Sequence, residues 1–118
     1  MANKEYNLEE RLAKFAESVI NLMKKLKQDA INLRMIAQVV ASSGSTGANY
    51  SEANEAESKK DFIHKIGIVK KELKETKHWL RLLACANPIL KEEFEEIRKE
   101  NHELLLIFSK IKQSCLQK

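Results

Sequence analysis

The chain has 118 residues, 43% of them apolar and 32% charged, with a net charge of +4, three glycines, one proline and two cysteines. This composition excludes a disordered polymer, a turn-rich β fold and a disulfide-stapled scaffold. No apolar run approaches the roughly 20 residues of a membrane span, and residues 1–6 lack a signal peptide's apolar core, so a cytoplasmic single domain over residues 1–118 is expected.

The first element is marked by Leu8, Leu12, Phe15, Val19, Leu22 and Leu26. Alternating steps of four and three put all six on one stripe of an α-helix, a pattern for which a strand has no use. Asn7, with Glu10 three residues on, has the form of a capping box. Lys24, Lys25 and Lys27 favour a helix end near Leu26.

After a polar link the chain reads as helix again from Ala30, through Leu33, Ile36, Ala37 and Val40. The small residues at 42–48 would form a loop by local propensity. Yet a helix stopping at Ala41 would span only about 18 Å beside neighbours of roughly 30–40 Å. A continuous or kinked helix to about Glu55 is therefore expected. Ala37, Ala41, Gly44 and Ala48 recur at helical spacing and are expected to let a neighbouring helix approach closely.

Ser58 and Asp61 mark a third helix running to about Ala86, with Phe62, Ile66, Val69, Leu73, Leu80 and Leu83 on one stripe that passes through Thr76. Asn87-Pro88 closes it and opens the last helix, because proline is tolerated at the first helical position and not within. Leu90, Phe94, Ile97, Leu104, Phe108 and Ile111 carry that helix to about Cys115. The stripe passes through Asn101, read as a polar residue that fixes register. Short links force antiparallel neighbours, so the fold class is all-α, an up-down-up-down four-helix bundle. Cys85 and Cys115 fall some 40 Å apart along the last helix, too far for a bridge.

Charge is segregated along the chain. Residues 58–86 carry eight bases against three acids, more than the whole net charge. At about 100° per residue, Lys59, Lys70, Lys74, Lys77 and Arg81 share a stripe about a quarter turn from the apolar face. Lys70, Lys74, Lys77 and Arg81 form a line about 16 Å long, able to follow several phosphates of RNA or DNA. Lysines also fill ordinary solvated faces, and Glu72 and Glu75 partly offset these. Trp79, Leu82 and Ala86 lie away from both stripes. Either this helix is buried over a wide arc, or they meet another subunit, and the interface reading is preferred.

Other chemistry finds little support. Glu75-x-x-His78 and Asp61-x-x-His64 resemble halves of a di-metal site, but both lie on one helix and point away from the apolar stripe. The 44–47 stretch lacks the Lys-Ser/Thr ending of a phosphate loop. Neither cysteine has an activating neighbour, so no catalytic residue, metal or cofactor is assigned.

Several runs are more specific than periodicity. They are Leu8-Glu9-Glu10-Arg11-Leu12 with Phe15-Ala16, Gly47-Ala48-Asn49-Tyr50 with Glu52-Ala53, Glu57-Ser58 with Asp61-Phe62-Ile63-His64-Lys65, and the unbroken run from Lys71 to Leu82. In these, over nearly its whole length, the chain resembles the bacterial four-helix-bundle family named for 23S rRNA intervening sequences. Glycines within 42–47 depart from that family's usual pattern. The resemblance implies ring-shaped homo-oligomers, commonly pentamers, with no catalytic activity. Some members are encoded within 23S rRNA gene insertions. A related, strongly basic group serves reverse transcriptases of diversity-generating retroelements.

Together these readings lead to a non-enzymatic homo-oligomer that binds RNA or DNA backbone through Lys70, Lys74, Lys77 and Arg81. Trp79 and Leu82 are expected at subunit contacts, with Tyr50 and Glu72 nearby. The alternative is a protein-interaction scaffold, for example an accessory to a reverse transcriptase, without direct nucleic-acid binding. No membrane or small-molecule substrate is expected.

Overall fold

Three helices begin where a side chain takes over a backbone N–H that the helix itself leaves unpaired. A computed structural model describes residues 7–117. The expectation of no signal peptide rests on residues 1–6, which lie outside the described residues. Helix α1 spans Leu8–Met23, α2 Ala30–Asn54 and α3 Lys59–Ala86. Their caps are Asn7, Asp29 and Ser58, whose side-chain oxygens accept from the N–H groups of Glu10 (3.3 Å), Asn32 (2.8 Å) and Asp61 (3.0 Å). Helix α4, Lys91–Leu116, follows a 3-10 turn at Pro88–Leu90 and has no side-chain cap. Pro88 needs none, because it brings no N–H to satisfy.

Contacts between helices give their directions. Glu9 pairs with Ser51, Glu52 with Lys65, Ser42 with Thr76, and Arg11 with Glu100 and Glu103. Asn101 reaches Leu73 and Lys112 lies against Gly67. With Gly47 lying over Leu12, one number rises as the other falls from α1 to α2 (9/51, 12/47), α2 to α3 (42/76, 52/65) and α3 to α4 (67/112, 73/101), so consecutive helices run antiparallel in an up-down-up-down bundle. Helix α1 is shorter than the sequence suggests. Lys25 and Leu26 donate to Leu22 and Met23, three residues back, which tightens the end of α1 into a turn while Leu26 stays buried.

Helix α2 is continuous through 42–48, as its length requirement demanded. Its seam with α3 is the most extensive in the bundle and that of α1 with α4 the slightest of the four. The row Ala37, Ala41, Gly44 and Ala48 does not form this seam: all four face outward and are exposed. Ser42, Ser43 and Thr46, a different stripe, are buried instead. The seam needs residues in phase with Val39 and Ala53, and the alanine row is rotated away from them. Each buried hydroxyl finds a partner. Ser43 donates to the Val39 carbonyl at 2.8 Å and Thr46 to that of Ser43 at 2.7 Å. Ser42 Oγ lies 2.7 Å from Thr76 Oγ1, which donates to the Glu72 carbonyl. Small side chains bring the backbones close, and their hydroxyls avoid the cost of buried, unpaired polar groups.

The core follows the three apolar stripes. Every α1 stripe residue is buried, as are Ile66, Val69, Leu73, Leu80, Leu83, Phe94, Leu104 and Phe108. Phe62, Leu90 and Ile111, at the ends of their stripes, are half-buried against it, as is Ile97. Asn101 lies in the core, 1% exposed, its amide donating to the Leu73 carbonyl at 3.2 Å. This links α3 and α4 at one level, consistent with a register-fixing role. Outside the core, Arg11 bridges α1 to α4 with two bonds to Glu100, at 2.8 and 2.9 Å. That bonding raises the guanidinium's pKa further.

Two substitutions on adjacent residues separate seam from surface. Ser43→Leu should lower unfolding stability by ~1–3 kcal/mol through overpacking. Gly44→Ala, where an added methyl meets nothing within 4 Å, should raise it by about 1 kcal/mol. Urea denaturation of both variants checks the pair.

Candidate nucleic-acid interface

The rotation of α3 is set by burial of Ile66, Val69, Leu73, Thr76, Leu80 and Leu83. With that face inward, Lys74, Lys77 and Arg81 are exposed and Lys70 is half-buried. Among the described residues none of the four has a carboxylate oxygen within 4.0 Å, although ion pairs form at Arg11, Lys14 and Lys65. The predicted line therefore stands on the surface as a row of cations without ion-pair partners among the described residues.

Helix α4 adds to this face in a way the sequence reading missed. An open cleft between α3 and α4 is lined by Lys77, Arg98, Lys99 and His102, with Glu92, Glu95 and Glu96 among them. Arg81 shares the next cleft with Lys91, Arg98 and Glu95. The signal was present: counting outward from the tight turn at Asn87-Pro88 sets Lys77 level with Arg98. The clefts mix charges: acids of α4 flank the line toward Arg81, while toward Lys70 and Lys74 the acids are Glu72 and Glu75 of α3 itself.

Trp79 is half-buried and packed against the core, while Leu82 is 37% exposed. His78 stands edge-on to the indole, with ring centroids 4.9 Å apart. Tyr50 is placed elsewhere: its ring meets Phe108 edge-on at 5.4 Å and borders an apolar cleft between α1 and α4, with Leu8, Phe62 and Leu106. Because Glu52 lies opposite Lys65, Tyr50 sits about 15–20 Å along the bundle from Trp79. The structure does not bring those two residues together. It does set Ala37 and Ala41 level with Trp79 and Leu82, given the Ser42–Thr76 contact.

Glu72 is half-buried, and burial, then the nearby Glu75, hold its carboxyl above the usual value of 4.5, against the opposing pull of Lys71. The metal-like pairs stay apart from any ligand set: among the described residues no three His, Cys, Asp or Glu side chains are grouped to hold an ion. Cys85 and Cys115 are both free thiols. No helix among the described residues is long and apolar enough to cross a membrane.

Fold and site together define an all-α four-helix bundle with one basic helix face. The family model for the 23S rRNA-intervening sequence protein matches residues 4–110, and the chain belongs to that family. A solved structure of similar fold is that of a protein with unknown function from the S23 ribosomal protein family of Bacteroides thetaiotaomicron. It is 33% identical, with 88% of this chain and 96% of that one covered at a TM-score of 0.78. No functionally curated protein matches the chain.

The raised pKa of Glu72 has a defined consequence for stability. Its folded-state pKa lies above the unfolded one, so the folded form binds the proton more tightly, and stability falls as pH rises through that interval. Glu72→Gln should therefore be more stable than wild type at neutral pH, with the gain disappearing below about pH 4.5. Thermal melts of both proteins across the acid range measure it.

Proposed function

We propose that this chain is a non-enzymatic, self-associating bundle, acting in the cytoplasm, that holds RNA or DNA by its phosphate backbone on the outer face of α3. The observation that carries the proposal is the row Lys70, Lys74, Lys77 and Arg81, without a carboxylate in ion-pair range among the described residues. Its spacing follows a chain of phosphates, while nothing on it is shaped to read base edges, so binding is largely independent of sequence. The family description, tied to 23S rRNA genes, and the ribosomal family name of the structural neighbour agree with an RNA partner.

Self-association has separate support. Trp79 and Leu82 keep apolar surface at the level of the outward row Ala37 and Ala41, and Glu72 flanks Trp79 on the same side of α3. Small residues beside a tryptophan make a surface that a second copy can approach closely. A closed ring such as a pentamer would repeat each basic row, turning a weak contact into avid binding. A second reading, a protein-interaction scaffold such as an accessory to a reverse transcriptase, is favoured by the apolar cleft between α1 and α4.

One experiment separates the readings. Protein whose mass by light scattering exceeds 13.6 kDa is titrated against labelled RNA and DNA at increasing salt. Wild type should bind at low salt and weaken steeply, by a log-log slope of several units. Changing Lys70, Lys74 and Lys77 together to Glu should abolish binding. Absence of binding by wild type at low salt would sink the nucleic-acid reading, and a mass of one protomer would sink self-association.

A further inference from the structure

The basic face extends past Lys70 to a glycine. Gly67 lies inside α3, where glycine is the poorest helix former after proline. Its φ is negative, so the backbone does not require it there. What occupies the space of its missing side chain is Lys112 of α4. A Cβ at Gly67 would stand 3.1 Å from Lys112 Nζ and 3.7 Å from its Cε. Lys112 thus crosses from one helix to lie in a notch on the other, and both residues are half-buried.

The charge around this notch is mainly basic, with Glu72 beside Lys71 as the nearest acid in sequence. Residues 62–71 hold Lys65, Lys70 and Lys71 with no acid, and residues 104–117 hold Lys110 and Lys112 with none. Lys65 is paired with Glu52, but neither Lys112, Lys70 nor Lys71 has a carboxylate within ion-pair range among the described residues. Lys70 and Lys71 follow Gly67 by three and four residues, which makes them its neighbours on the helix surface. A lysine that could extend into water instead lies against the stretch of α3 that carries Lys70 and Lys71. An anion seated among the three ammonium groups relieves their mutual repulsion.

We propose that the Gly67 notch is a phosphate seat, in which one backbone phosphate of a bound strand is held by Lys112 from α4 and by Lys70 and Lys71 from α3. The proposal rests on the nucleic-acid reading of the α3 face and deepens it. The strand is anchored at this end and runs along Lys74 toward Arg81, where Glu92, Glu95 and Glu96 weaken the field. The two-helix clamp also requires α4, so α3 alone would not reproduce the seat.

The test uses substitutions that leave the charge of the α3 row untouched. Gly67→Ala asks Lys112 to give by only a few tenths of an ångström. Gly67→Leu fills the notch and drives the ammonium out, while leucine's better helix propensity keeps α3 folded. Lys112→Gln removes the ammonium itself. With a labelled single-stranded oligonucleotide in anisotropy titrations, Gly67→Leu and Lys112→Gln should each lower the salt-dependence slope by about 0.7, the share of one single-strand phosphate. Combining them should lower it no further, because both act on the same contact. Circular dichroism melts show whether each variant is folded. If both variants keep the wild-type slope while the triple Glu variant loses binding, the seat is wrong and the α3 face stands. Additive losses in the double variant also overturn a shared seat. If wild type binds no oligonucleotide, seat and face fall together.

Discussion

The close contact between α2 and α3 governs what the rest of the molecule presents to solvent. Ser42, Ser43 and Thr46 are small enough to let the two backbones approach, and Ser42 meets Thr76 at 2.7 Å in the middle of the seam. Once that face of α2 turns inward, rotation by 100° per residue fixes its other faces, just as the buried stripe of α3 fixes those of α3. The alanine row of α2 must point outward, and so must the lysine row of α3. A seam of leucines would hold the helices farther apart and leave Trp79 with less to pack against. The polar contacts contribute modestly to stability, since each hydroxyl exchanges a bond to water for one within the protein. Their larger effect is on which arrangement is unique.

Much of this was legible from residue spacing, and the reasons are physical. In α1 every third or fourth residue is apolar without interruption, so the inward face admitted one answer, and all six positions are buried. The caps at Asn7 and Ser58 were readable because a short acceptor side chain before an apolar run has one common use. Asn101 was readable as a core polar residue because it falls on a stripe that is otherwise apolar. The second helix was harder. Serine and threonine suit a loop by local preference, yet here their hydroxyls bond back to carbonyls of the same helix, and burial against the bundle holds the segment helical. Two small-residue stripes compete there, Ala37/Ala41/Gly44/Ala48 and Ser42/Ser43/Thr46. The spacing of the first suggests close approach of a neighbouring helix, but within the protomer it is the second that is buried, since hydroxyls with partners can be buried as well as methyls.

The candidate site divides in the same way. Residues on a single helix could be placed from their spacing, so the row from Lys70 to Arg81 emerged on one exposed face. Contributions from two helices could not, because they depend on register across a turn. Arg98 beside Lys77, and Lys112 lying over Gly67, are of this kind. The cleft between α1 and α4 escaped notice because it arises from how little those helices touch, which no local pattern encodes. Tyr50, expected near Trp79, meets Phe108 edge-on well down the bundle.

Amide hydrogen exchange probes the seam most directly, because its slowest rates report backbone hydrogen bonds that open only on global unfolding. If small hydroxyl residues truly lock α2 to α3, amides within 42–48 exchange as slowly as those of Val69 to Leu80. Rapid, loop-like exchange through 42–48 beside a protected α3 would contradict the account.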